Sequence, residues 1–224
     1  ITNHIPENAF FNFPNLYLIG GEGIGTVTRI GLEQSVGMPA INKIPRKMIF
    51  DAVSDVCSIA DFAGMNLLIK IEVPNGRELA EKTFNPKLGI IGGISILGTS
   101  GIIEPMSEKA IVDTIETQIR QINAEKIEGM IVVPGNYGVS YANALKVNSA
   151  KVIKCSNYIG DTLDFAVSYG IKKLLVVGNM GKLVKLAAGI MNTHSKTADA
   201  RAEIMALHAV LSGGTSEDAA KIME

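Results

Sequence analysis

The chain has 224 residues, 47% of them hydrophobic and 5% aromatic, with no tryptophan and a formal net charge of −1. That length carries one large core or two modest ones, and the balanced charge argues against a polybasic nucleic-acid surface. No apolar run approaches the roughly 18 residues of a bilayer span, and Cys57 and Cys155 form neither a Cys-x-x-Cys pair nor a disulfide framework, so a soluble protein of a reducing cytoplasm is expected.

From the N-terminus, residues 16–19, 26–30 and 67–73 read as strands, and between the last two Pro45 suits the first turn of a helix. Ile49, Ala52, Val53 and Val56 form that helix's apolar stripe. Pro74-Asn75-Gly76 ends the third strand, and Asn85-Pro86 reads as a boundary. From Lys87 onward short apolar strands alternate with amphipathic helices. Residues 88–91 form a strand ending in Gly92-Gly93, and Ser107 caps a helix with Ile111, Ile115, Ile119 and Ile122 on one face. Residues 130–133 and 151–154 are further strands, followed by a helix capped by Asn157 and closed by Gly170. Residues 173–177 form a buried strand running into Gly178. Two helices with stripes Leu183/Leu186/Ala187/Ile190 and Ala200/Ile204/Leu207/Leu211 come next, and a capping box at 215–218 opens the last helix.

Continuous apolar strands between amphipathic helices predict an α/β fold: a mostly parallel sheet with helices on both faces, preceded by a smaller α+β segment. The change of rhythm places the domain boundary between residues 86 and 87, giving domains 1–86 and 87–224. The start at Ile1 and a stop at Glu224 inside a helical pattern suggest part of a longer protein.

The stretch Gly20-Gly-Glu-Gly-Ile-Gly-Thr-Val-Thr28 invites comparison with a phosphate-cradling loop. With glycines at 21 and 23, a Gly-x-Gly-x-x-Gly fingerprint needs glycine at 26, where Thr26 stands, and a strand-like sequence follows in place of a helix. The reading preferred is the bend of a β-ribbon. Ligands of open parallel sheets sit outside the carboxyl ends of the strands. There the sequence sets Gly92, Gly93 and Ser95, then Gly135 and Asn136, then Asn157, then Gly178. Small residues at these places admit a ligand to the backbone, and amide side chains offer directed hydrogen bonds. His194, Ser195, Lys196 and Thr197 concentrate donors in one loop, but no Gly-x-Ser-x-Gly elbow accompanies them. His4, His194 and His208 are scattered, away from either cysteine, so no protein metal site is expected.

Several blocks carry a family likeness. Gly20 through Thr28, Pro39-Ala-Ile-Asn42, Val73-Pro-Asn-Gly76, the run from Gly89 to Thr99, Gly135-Asn-Tyr-Gly138, Ser156-Asn-Tyr-Ile-Gly-Asp161 and the run from Asn192 to Asp199 resemble the cobalt-precorrin-5B C1-methyltransferases of anaerobic cobalamin biosynthesis. Relative to that family the N-terminal segment and the C-terminal extension are missing, and residues 1–17 match poorly.

The resemblance implies methyl transfer from S-adenosyl-L-methionine, as co-substrate, to C1 of cobalt-precorrin-5B, giving cobalt-precorrin-6A. Cobalt enters only as part of the substrate, and aligning the two reactants supplies most of the catalysis. It assigns Gly92, Gly93, Ser95, Gly135, Asn136, Asn157 and Gly178 to the donor. Glu22, Lys182, His194, Lys196 and Arg201 fall to the polycarboxylated macrocycle, with Glu22 in a glycine loop that lines the site. No catalytic residue follows from it. A non-catalytic corrinoid-binding or pathway-scaffolding protein is the alternative. Neither nucleic acid nor membrane is expected as a partner, and a homo-oligomer or contact with other pathway enzymes stays open.

Overall fold

The computed structural model describes residues 4–12, 15–60, 65–98, 107–144 and 150–224. The chain divides into two compact units, Ile1–Pro105 and Met106–Glu224, a later division than the 86/87 boundary read from the sequence. Among the described residues no helix is long and apolar enough to cross a membrane.

The first unit opens with β1 (Phe10–Asn12) and β2 (Leu16–Gly20), passes through β3 (Thr26–Val27) and α1 (Lys43–Ile59), and returns in β4 (Leu67–Ile71). β2 pairs antiparallel with β1 and parallel with β4. Alternation along β2 turns Leu16 and Leu18 into a core with Phe10, Ile24, Ile41 and Phe50. α1 reaches that core through Ile49, Phe50, Val53 and Cys57. Ala52 and Val56, expected inside, are exposed, because the stripe is centred on Phe50.

Two short helices, α2 (Gly76–Glu81) and α3 (Asn85–Leu88), lead into β5 (Ile90–Ile91). Asn85-Pro86 therefore starts a helix turn, with proline in the opening position where its missing N–H costs nothing. β5 pairs antiparallel with β3, so residues 88–91 do not join a parallel sheet as expected. The ribbon reading of the glycine loop also fails. β2 and β3 are not partners: β2 pairs with β1 and β4, and β3 with β5. Residues 21–25 instead carry the chain from one sheet to the other, and only two of the residues from 26 to 30 form a strand.

The glycines of this passage answer to packing. A Cβ on Gly23, whose φ is +74°, would stand 1.8 Å from the Val73 carbonyl oxygen. One on Gly76 or Gly93 would stand 2.1 or 2.2 Å from the Gly23 carbonyl oxygen. Three segments thus meet backbone to backbone, and hydrogen bonds from Ile94 N to Gly23 O and from Val73 N to Glu22 O lock them.

The second unit is a three-stranded parallel sheet: β6 (Gly129–Val133) in the centre, β7 (Ala150–Lys154) on one side and β8 (Lys173–Val176) on the other. Residues 130–133 and 174–176 lie in one sheet and parallel, as expected. α4 (Glu108–Ala124) is capped by Ser107, whose hydroxyl accepts from Ala110 N. Its Ile115, Ile119 and Ile122 pack on one face of the sheet against Met130, Val132 and Ile153, together with Ile159 and Ala166 of α6 (Ile159–Ser168). α5 (Asn136–Ala144) covers the other face, packing Ala142 and Val139 on Ile131, Val133 and Val152. β8 departs from expectation. Leu174 and Leu175 are 37% and 45% exposed, because β8 lies at the sheet edge.

After β8 come α7 (Met180–Leu186), α8 (Arg201–Leu211) and α9 (Ser216–Met223). α7 stops at Leu186, so Ala187 and Ile190 fall outside it, and on α8 the inward residues are Ile204 and Ala206 while Leu207 and Leu211 face out. The capping box at Thr215 and Asp218 forms as read, each side chain bonding the other's backbone N–H.

Candidate functional site

The two crossovers of the parallel sheet set up the site. The chain leaves β6 into α5 on one face and leaves β7 into α6 on the other. Adjacent strands whose connections part to opposite faces open a crevice outside their carboxyl ends. Here that crevice is spanned by one side chain. The Lys182 ammonium, on α7, donates to Pro134 O (3.0 Å) in the loop after β6 and to Asn157 Oδ1 (2.8 Å) in the loop after β7. Burial first, joined by the charges of Lys185 and Lys154, holds Lys182 below the ordinary lysine range, with Cys155 pulling the other way.

Asn157 is therefore not the cap of α6, as expected. Tyr158 takes that position without a side-chain bond, and the Asn157 oxygen accepts from Lys182 and from Thr193 Oγ1 (3.3 Å). The loop at 191–193 is bound to the same place through Thr193 N to Asn157 O and Gly160 N to Met191 O. Behind it Cys155 is fully buried, and burial pushes its thiol up to about 11, which leaves it an apolar packing group and not a nucleophile.

A cleft of about 510 Å³ opens beside this lysine, lined by Asn157, Asn179, Lys182, Lys185, His194 and Arg201 among others. Lys185 is 2% exposed. It donates to Ala198 O (2.6 Å) and Thr193 O (3.4 Å) and lies 3.6 Å from Asp199 Oδ1. Asp199 also receives Arg201 through Nε (2.6 Å) and Nη2 (2.9 Å). Arg201 and Lys185 together hold the Asp199 carboxyl below the usual range. Cations thus collect on one wall with a single carboxylate behind two of them, a setting suited to anionic ligands.

The first unit has its own cleft, of about 520 Å³, between the glycine passage and the start of α2, with Glu22, Asn75, Arg77, Glu78 and Gly92 on its walls. Among the described residues those three charged side chains pair with nothing.

The residues singled out in the sequence divide accordingly. Asn157, Lys182, His194 and Arg201 share the second unit's cleft, and Glu22 and Gly92 share the first unit's. Gly93, Ser95, Gly135, Asn136, Gly178 and Lys196 line neither. Gly93 is fixed by its contact with Gly23, and Ser95 donates to the buried Asn85 (2.7 Å). Gly92 through Ser95 follow an antiparallel pair, not the edge of the parallel sheet. Asn136 Oδ1 accepts from Lys154 (2.6 Å), and a Cβ on Gly178 would press Pro134 at 3.0 Å. Lys196 contributes its backbone N–H to His194 Nδ1 (3.0 Å), with its side chain exposed. At Gly135 an added Cβ meets nothing within 4 Å. Sequence reasoning missed Lys185 and gave Asp199 no role of its own. The signal available was the spacing Lys182/Lys185, which sets two lysines on one side of a helix.

Comparison with known proteins adds a likeness. The CbiD family model matches residues 5–105. A cobalt-precorrin-5B C(1)-methyltransferase of Ruminiclostridium cellulolyticum is 50% identical over 206 residues, covering 92% of this chain and 53% of that protein. The protein of the same name from Methanocaldococcus jannaschii is 42% identical over 218 residues, covering 92% and 59%. A crystal structure of cobalamin biosynthesis protein (cbiD) from Archaeoglobus fulgidus is 24% identical, covers 82% of this chain and 57% of that one, and superposes with a TM-score of 0.35, too loosely to carry structural detail. The chain spans about half the length of the curated relatives it matches.

Proposed function

We propose that this chain, whose residues 5–105 match the CbiD family model, takes part in methylating C1 of cobalt-precorrin-5B in anaerobic cobalamin biosynthesis. The observation that carries this reading is the 50% identity over 206 residues to a protein named for that reaction. S-adenosylmethionine supplies an electrophilic sulfonium methyl, which passes in line to C1 while the thioether leaves. The protein's part is then to hold two reactants in register and to keep the substrate's carboxylates paired.

The cationic cleft supports the second task. Lys182, His194 and Arg201 face substrate carboxylates there, with Lys185 behind them adding positive potential. The open strand end at Gly135, with Asn157 beside it, suits the donor's adenosyl portion, since nothing stands within 4 Å of a Cβ placed on Gly135. Glu22 and Gly92, in the first unit's cleft, are the remaining candidate contacts. Methyl transfer of this kind asks for no nucleophilic side chain, consistent with the buried, neutral Cys155.

Incubating the full chain with S-adenosylmethionine and cobalt-precorrin-5B tests the proposal. S-adenosylhomocysteine should form only when the macrocycle is present. Tight macrocycle binding without turnover would favour a corrinoid-binding role instead.

A further inference from the structure

We propose that Asp199 is a positioning residue that fixes the Arg201 guanidinium as a rigid receptor for a carboxylate in the second unit's cleft. The inference rests on the methyl-transfer reading only for the source of that carboxylate.

Arginine carries its donors in a planar fork, and a carboxylate that takes the Nε side leaves the Nη1 end to a second partner. Asp199 does this, with Oδ1 2.6 Å from Nε and Oδ2 2.9 Å from Nη2. Among the described residues the Nη1 group meets no protein acceptor. It lies where the cleft begins, 3.5 Å from a Cβ built on Gly181. An exposed arginine ordinarily spends rotamer entropy on binding an anion. Two parallel bonds to Asp199 remove that freedom beforehand.

Asp199 is itself held. The buried Lys185 Nζ stands 3.6 Å from Oδ1, and two backbone carbonyls, Ala198 O and Thr193 O, fix that ammonium in turn. Lys185 thus balances part of the carboxylate's charge, so Asp199 orients Arg201 without fully neutralising it. Lys182, on the same wall, adds a second cation. A sulfonium would be repelled by this wall, and a carboxylate drawn to it. Two sources offer that group: the side chains of the macrocycle and the amino-acid end of the methyl donor.

The first test uses the full chain and sodium acetate and needs no assumption about methyl transfer. In the wild type, the Arg201 Nε–Hε resonance, protected by Asp199, is observed and shifts saturably with acetate. In Asp199→Asn the affinity falls by about tenfold or more, and Asp199→Glu, which keeps the carboxylate, recovers most of it. Asp199→Asn leaves Lys185 with carbonyl partners alone and can fail to fold. Arg201→Gln, at an exposed position and read, like the wild type, through the backbone amide resonances of the cleft, is therefore the second variant and should lose the same affinity. The double variant should lose no more than either single one, because both act through one guanidinium. Acetate that leaves Arg201 unmoved, or binds Arg201→Gln as it binds the wild type, overturns the proposal.

Cobalt-precorrin-5B and S-adenosylhomocysteine, titrated separately, then identify the source. The ligand whose affinity drops in Arg201→Gln is the one that brings the carboxylate. Unchanged affinity for both in a folded Arg201→Gln overturns the proposal. A chain that holds acetate at Arg201 but binds neither ligand keeps the carboxylate site and overturns the methyl-transfer reading instead.

Discussion

Gly23→Ala and Gly92→Ala form a matched pair. Both glycines have positive φ, +74° and +86°, so alanine at either carries the same torsional penalty of about 1–2 kcal/mol. Their surroundings differ. At Gly92 an added Cβ meets nothing within 4 Å, whereas at Gly23 it would sit 1.8 Å from the Val73 carbonyl oxygen and 3.0 Å from Gly76 N. Both neighbours of Gly23 are backbone and cannot swing aside as a flexible side chain would. The segments must part by roughly 1 Å or more. That strains the bonds from Gly76 N to Val73 O, from Val73 N to Glu22 O and from Ile94 N to Gly23 O, each contributing about 0.5–1.5 kcal/mol. Gly23→Ala should therefore cost more than about 4 kcal/mol, in the range that marks a forced backbone rearrangement, and Gly92→Ala only about 1–2. Urea midpoints for the two variants, read by far-ultraviolet circular dichroism, measure the difference. Equal losses would refute the packing account and return the glycine passage to a purely conformational role.

Three further outcomes follow from the second unit. Cys155 titrates near 11, above its ordinary 9.0, so between those values the unfolded chain binds fewer protons and stability falls as pH rises. The loss approaches about 2.7 kcal/mol, and the advantage of wild type over Cys155→Ala in urea should shrink across that window. A pH-independent difference contradicts it. Lys182→Met removes two charge-assisted bonds, offset in part by relief of a buried charge, so it should cost about 1–2 kcal/mol. A loss under about 0.5 kcal/mol would mean that the ammonium does not tie the loops together. Gly135→Val should weaken S-adenosylhomocysteine binding while leaving the denaturant midpoint within about 0.5 kcal/mol, since the position is sterically open and not of positive φ. Undiminished affinity there moves the donor site elsewhere.

The parallel sheet was legible because its determinants are local. The run Met130-Ile-Val-Val133 is apolar throughout and buried on both faces, and the isoleucine stripe of α4 recurs at helical spacing. The first unit was not, because its pairing is non-local. Val27 pairs with Ile90, and Ile24 bridges to Ile94. Nothing in Gly20 to Thr28 says that the chain there is leaving one sheet for another. The same division runs through the candidate site. His194 stands out in a polar loop and Arg201 at the start of α8, whereas Lys185 looks like any helix-surface lysine until tertiary packing buries it. Asn157 has the composition of a cap, and only the arrival of Lys182 from α7 explains why its oxygen points elsewhere.

The central position of β6 also bears on how the second unit breathes. Its backbone amides are bonded to β7 on one side or β8 on the other, and all five of its residues are buried. Among the described residues β7 and β8 have a neighbour strand on one side only. The outward amides of β7 and β8 have no strand beyond them and exchange through small fluctuations, before either seam with β6 opens. Deuterium should therefore enter along the two margins early, while residues 129–133 exchange only when the seam that holds each amide parts. Their exchange rates then report the free energies of opening the two seams, and the margins report looser motions.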